Sequence, residues 1–172
     1  MTTLFTPADI RQAVDLLASR PLIRLVTEID DNGAIPPRRL ASTLPDLSSH
    51  QLRWAAEAAR AHGLVRTVPG AGLVLTTRGT ELADVYDAAA RWARQYAYPA
   101  PVCEFSLRIR RVLDLLTPLL ETGQADGVGR SAAGHLTSAD AEEGLARPRA
   151  LLIQWLAANR PATWVSEPER AA

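Results

Sequence analysis

At 172 residues, 47% hydrophobic and 22% charged, the chain can form one domain with a real core, or a small domain with helical additions, and it is too apolar to be disordered. Basic and acidic residues balance at 19 each, which argues against a general nucleic-acid coat but leaves room for segregated charge. A single cysteine, Cys103, excludes an internal disulfide, and Arg, Asp, Glu or Pro interrupts every apolar run short of a bilayer span. Met1 to Pro7 lacks a basic region followed by an apolar stretch, so no secretory signal and no membrane partner is expected, and the expected location is the cytoplasm. Every basic residue is Arg and none is Lys, which with the abundance of Ala fits a GC-rich bacterial genome.

The first predicted helix runs over 7–19, opened by Thr6-Pro7-Ala8-Asp9, with Ile10, Val14, Leu16 and Leu17 as its apolar stripe. A second starts at Pro21, carries Leu22, Leu25, Val26 and Ile29 on one face, and ends near Asn32-Gly33. Ala34-Ile35 allows only a token strand. Pro36-Pro37 opens a short helix to Leu44, closed by Pro45-Asp46. Ser48 and Gln51 fit a capping box for the next helix, whose inner face is Leu52, Ala55, Ala56 and Ala59 and whose end is His62-Gly63. Two β-rich runs, 64–68 and 73–76, flank the turn residues Pro69-Gly70-Ala71-Gly72. Thr77 is the expected cap of a long helix to about Tyr96. Pro99 and Pro101 then break the chain. A strongly apolar helix follows from Phe105 to Leu120, with Pro118 expected to bend or tighten its end. Residues 122–137 read as a mobile loop. Thr137 or Ser138 caps a last helical region, interrupted at Pro148, and the tail 161–172 reads as loose.

The order helix, short helix, tight turn, capped helix, hairpin, long helix is that of a helix-turn-helix with a wing. The fold expected is therefore mainly α: a winged helix-turn-helix over 20–98 with a two-stranded hairpin wing, an N-terminal helix over 1–19, and C-terminal helices over 99–160. In such an arrangement the capped helix enters the major groove and its first side chains reach base edges. Here those are Ser49, His50, Arg53 and Trp54, with Glu57 one turn on. Arg53 has the fork to donate twice to guanine, and Ser48 and Ser49 suit phosphate. Between Gly33 and Gly79 lie Arg38, Arg39, Arg53, Arg60, Arg66 and Arg78, against only Asp46 and Glu57, so positive charge is concentrated on the proposed reader. An ordinary solvated helical surface is the plainer reading of the same residues.

The stretch from Arg20 to Trp92 resembles the HxlR-type and MarR-type winged-helix regulators of bacteria. The matching elements are Leu40-Ala41, Leu44-Pro45, Leu47-Ser48, Leu52, Gly63-Leu64-Val65, and Leu75-Thr76-Thr77-Arg78-Gly79-Thr80-Glu81-Leu82, an "L-T-x-x-G-x-x-L" pattern, with Trp92 in the helix that follows. The resemblance implies a homodimeric, sequence-specific DNA-binding transcription regulator: a repressor released by a small-molecule effector. Two departures stand out. The wing tip, 69–72, carries no basic residue and Arg66 sits only at its base; Trp54 stands where a polar groove contact is usual. Winged-helix domains at the N-terminus of small-molecule O-methyltransferases fit the same pattern and dimerise without touching DNA; they are the alternative.

No enzyme, cofactor or metal site is expected. His50, His62 and His135 are scattered without ligand spacing, and nothing resembles a nucleophile elbow. Cys103 reads as a small hydrophobe before it reads as a thiol sensor. Val112, Leu113, Leu116, Leu119, Leu120, Leu151, Leu152 and Trp155 are either core or a dimer interface, with dimerisation through these helices and the N-terminal one favoured. Trp92, Tyr96, Phe105 and Trp155 are candidate walls of an effector pocket, against the plainer reading of an aromatic core.

Overall fold

A computed structural model describes residues 5–121 and 139–159. The expected loop at 122–137, the cap at Thr137 or Ser138, His135 and the tail 161–172 lie outside them. Over the described residues the protein is mainly helical with one two-stranded antiparallel sheet. Among the described residues no helix is long and apolar enough to cross a membrane.

Helix α1 (Pro7–Leu17) opens on Thr6 in a reciprocal capping box with Asp9. Helix α2 (Arg20–Asn32) buries Leu22, Ile23, Leu25, Val26 and Ile29. Ile35 then forms a lone bridge to Leu73, with backbone bonds of 3.0 and 2.9 Å, which is the token strand expected there. A 3-10 turn (Pro37–Arg39) leads into the single-turn α3 (Leu40–Thr43). Helix α4 spans Ser49–Ala61. Strands β1 (Val65–Val68) and β2 (Gly72–Leu75) pair in the register Val65 to Leu75 and Val68 to Gly72, leaving Pro69, Gly70 and Ala71 at the tip. Helices α5 (Thr77–Gln95), α6 (Phe105–Glu121), α7 (Ala139–Gly144) and α8 (Ala146–Ala158) follow.

Several expected boundaries shift by a residue or two, and two of the shifts have a local cause. The cap of α5 is Thr76, not Thr77: Thr76 is extended and its hydroxyl accepts from the Gly79 N–H, whereas Thr77 is already helical. The C-terminal region breaks at Leu145 rather than Pro148. Pro148 sits in the first turn of α8, where a backbone N–H has no helical partner to lose.

Helix α5 is the central element, packing on α2, α6 and α8. Its Tyr86 is fully buried, and the hydroxyl donates to the Leu17 carbonyl at the end of α1, at 2.6 Å. Burial pushes this phenol far above its ordinary range, so it stays a donor. One hydrophobic core runs from α1 through α8, across the boundaries at 19/20 and 98/99. Val112, Leu113, Leu116 and Leu152 are fully buried in it and Trp155 nearly so, while Leu119, Leu120 and Leu151 pack partly buried against it. Five of the eight apolar residues favoured for a dimer interface are thus covered within the chain, where α6 packs on α1 and α5 and α8 packs on α5, while Leu119, Leu120 and Leu151 keep part of their surface open.

Candidate nucleic-acid interface

The start of α4 is fixed by the expected capping box. The Gln51 N–H donates to the Ser48 hydroxyl at 3.2 Å, and the Ser48 N–H donates to the Gln51 amide oxygen at 2.9 Å. Its roll is fixed by Leu52, Ala55, Ala56 and Ala59, all buried, and three alanines let α4 approach α2 closely. Its end is a Schellman turn: Leu64 N–H reaches the Ala59 carbonyl at 2.8 Å and Gly63 N–H that of Arg60 at 3.0 Å. Gly63 adopts φ +65° there, a conformation that costs any residue with a Cβ. These constraints leave Ser49, His50, Arg53, Trp54, Glu57 and Arg60 together on one exposed face. Ser48, Arg38, Arg39 and Arg66 are exposed as well, the two adjacent arginines on the 3-10 turn and Arg66 on β1.

The turn before α4 is held by a network absent from the sequence reading. Asp46 accepts from Arg24 Nε at 3.0 Å and Nη2 at 3.2 Å, and from Arg20 Nη2 at 3.0 Å. Arg20 also donates to the Asp46 carbonyl and, through Nε, to Glu104 at 2.7 Å. The i,i+4 spacing of Arg20 and Arg24 on one face of α2 was the only signal of it in the sequence. The hydrogen bond from Arg24 holds the Asp46 carboxyl below its ordinary value of 3.8. Asp46 therefore stabilises the fold above that value, and the contribution disappears as pH falls through the lowered one. Asp46 is about a third exposed, so solvent screens the pair. Asp46→Asn is expected to cost about 1 kcal/mol at neutral pH. It should also remove part of the stability loss expected between pH 5 and pH 3, which urea denaturation at both pH values checks.

The same network alters the charge around α4. Asp46, one of two carboxylates between Gly33 and Gly79, is neutralised by arginines from α2. Arg78 leaves the opposite column: its Nη1 donates to the His62 carbonyl at 3.0 Å, capping the end of α4, and it is half-buried. Burial and the nearby Arg78 lower the His62 pKa, so that ring is neutral and adds no charge. Arg38, Arg39, Arg53, Arg60 and Arg66 form no ion pair among the described residues. Positive charge is exposed on and around α4.

The "L-T-x-x-G" stretch ties this helix to the core. Thr76 donates through its hydroxyl to the Gly63 carbonyl at 2.6 Å, and its N–H reaches the Leu64 carbonyl at 2.9 Å. Gly79 lies so close to the Leu64 carbonyl that a Cβ would overlap its oxygen. The end of α4 and the start of α5 are therefore stitched together through two threonine atoms and one missing side chain.

The four aromatic residues nominated for an effector pocket separate. Trp92 and Tyr96 lie together, ring centroids 5.4 Å apart, beside an open cleft of about 430 Å³ between α5 and the α7–α8 region, with Asp84, Gln95, Arg147 and Leu151 on its walls. Trp92 Nε1 and the Tyr96 hydroxyl donate to the Ala141 and Asp140 carbonyls, both at 2.9 Å. Trp155 is buried elsewhere, its Nε1 donating to the Arg78 carbonyl at 2.9 Å, beside a small cavity lined by His62, Arg78 and Asn159. Phe105 opens α6, is 38% exposed, and does not line the cleft. Helical periodicity cannot place residues from three helices around one space, which is why the grouping fails. No protein-family model, curated protein or solved structure matches the chain. Any assignment of function therefore rests on the chemistry of these surfaces.

Proposed function

We propose that residues 20–98 form a winged helix-turn-helix that binds double-stranded DNA, with α4 as the recognition helix and β1–β2 as the wing. The chain acts as a homodimeric, sequence-specific transcription regulator, a repressor whose release follows binding of a small molecule in the cleft beside Trp92 and Tyr96. The observation that carries this reading is the exposed face Ser49, His50, Arg53, Trp54, Glu57 and Arg60, together with arginines that have no carboxylate partner among the described residues. A protein needs side chains free at the start of a capped helix to read base edges, and unneutralised cations to displace counterions from phosphate. Both are present on the same element. The wing tip, Pro69, Gly70 and Ala71, has no cation to place in a minor groove, so base reading falls on α4.

The alternative, a winged-helix module that dimerises without DNA, requires a second copy to cover Arg53 and Trp54, since the chain itself leaves both exposed.

Fluorescence polarisation with labelled duplexes from upstream of the protein's own gene tests the reading. Binding is expected, with log affinity falling linearly against log salt at a slope of about −0.9 for each phosphate neutralised. Absence of binding, or binding indifferent to salt, would overturn it.

A further inference from the structure

Trp54 is the one large apolar side chain in an otherwise polar, charged face, and it is 38% exposed. The capping box and the buried Leu52, Ala55 and Ala56 fix the start and roll of α4, so this exposure follows from the packing of the helix and not from a frayed end. Its neighbours one turn back and at adjacent positions are His50 and Arg53, both exposed. The indole Nε1–H finds no acceptor among the described residues, whereas Trp92 and Trp155 both donate to backbone carbonyls. Trp54 thus brings to this face a partly exposed apolar ring whose one polar atom is a donor, with no acceptor.

We infer that Trp54 is a specificity-determining residue that reads thymine in the major groove, its ring against the C5-methyl and its N–H toward O4. This rests on the DNA-binding reading above. The argument is one of matching chemistry. The thymine methyl is the apolar group of the major-groove edge, and beside it lies an acceptor, O4. Cytosine presents a donor at that place and no methyl, so an indole N–H would face another donor there. Guanine and adenine have acceptors but nothing apolar for the ring to cover. The exposed arginines around α4 supply the attraction that brings this face to a duplex rather than to a neutral partner.

The test uses the full chain and a pool of short duplexes with a randomised centre, enriched for those the wild type retains. In the best-bound duplex, each thymine is replaced in turn by deoxyuridine, which lacks only the methyl. One or two replacements are expected to weaken wild-type binding by about fourfold each, the effect of one buried methyl group. Trp54→Ala should bind the thymine and uracil forms alike at those positions, and Trp54→Phe, which keeps an apolar ring, should retain the preference. Thermal melts confirm that both variants are folded. Indifference of the wild type to uracil at every position overturns the proposal. So does a Trp54→Ala variant that keeps the thymine preference, weakens all sequences equally, or changes oligomeric state while binding DNA normally. If no duplex is enriched by the wild type, the DNA-binding reading itself fails and the thymine contact with it, a result seen before any base is replaced.

Discussion

Gly79→Ala is expected to destabilise the protein by about 3 kcal/mol, at the upper end for inserting one carbon into a packed site. Helix propensity predicts the opposite sign, since alanine in place of a helical glycine gains close to 1 kcal/mol. The geometry decides between them. The added Cβ would overlap the Leu64 carbonyl oxygen and press on Leu75. That oxygen cannot retreat, because it accepts from the Thr76 N–H and from its hydroxyl at 3.1 Å. Moving α5 outward would break the Thr76 bond to the Gly63 carbonyl and shift the end of α4. The loss should appear as a lower urea midpoint with an unchanged slope. A variant within about 0.5 kcal/mol of the wild type would show that the two helices are not locked at this point.

Arg53→Ala should leave stability within about 0.5 kcal/mol, because the side chain is exposed and unpaired among the described residues. Its effect on DNA binding should be large. Arg53 lies in the first turns of α4, where, on the proposed reading, its guanidinium meets the guanine O6 and N7 pair, and losing such a contact costs about 1–3 kcal/mol for each half-site. A second signature separates base reading from charge alone. Arg53→Ala should relax the preference at one base pair, whereas Arg38→Ala should weaken all sequences evenly and reduce the salt slope by about 1. Binding titrations on the best duplex and its single-base variants measure both. An Arg53→Ala protein that binds as tightly as the wild type, or behaves like Arg38→Ala, would remove Arg53 from base contact.

The arrangement also connects α4 to the rest of the chain. Arg20 joins the turn before α4 to Glu104 at the start of α6, and Arg78 joins the end of α4 to Trp155 of α8. Both ends of the proposed recognition helix are therefore braced by residues outside it.

Local chemistry was enough to read α4 from the sequence. The Ser48–Gln51 box, the Leu52, Ala55, Ala56 and Ala59 face and the Gly63 stop depend on residues a few positions apart, and they occur where spacing places them. The same holds for the hairpin and for the lone Ile35 bridge. The "L-T-x-x-G" pattern was legible as a motif, but its reason was not: Gly79 is needed because of Leu64, and Thr76 because of Gly63, both across the hairpin. Only the tertiary structure decided which charges are free. In the sequence Asp46 and Arg78 are ordinary charges; in the fold Arg20 and Arg24 pair with the first, and the second donates to the His62 carbonyl. The tertiary structure likewise decided that Val112, Leu113, Leu116, Leu152 and Trp155 belong to the core, and that Trp92 and Tyr96 share a cleft from which Phe105 and Trp155 are absent. Periodicity determines which side of a helix is apolar; it carries no information about which helix that side meets, because the partner lies tens of residues away in the chain and is chosen by packing.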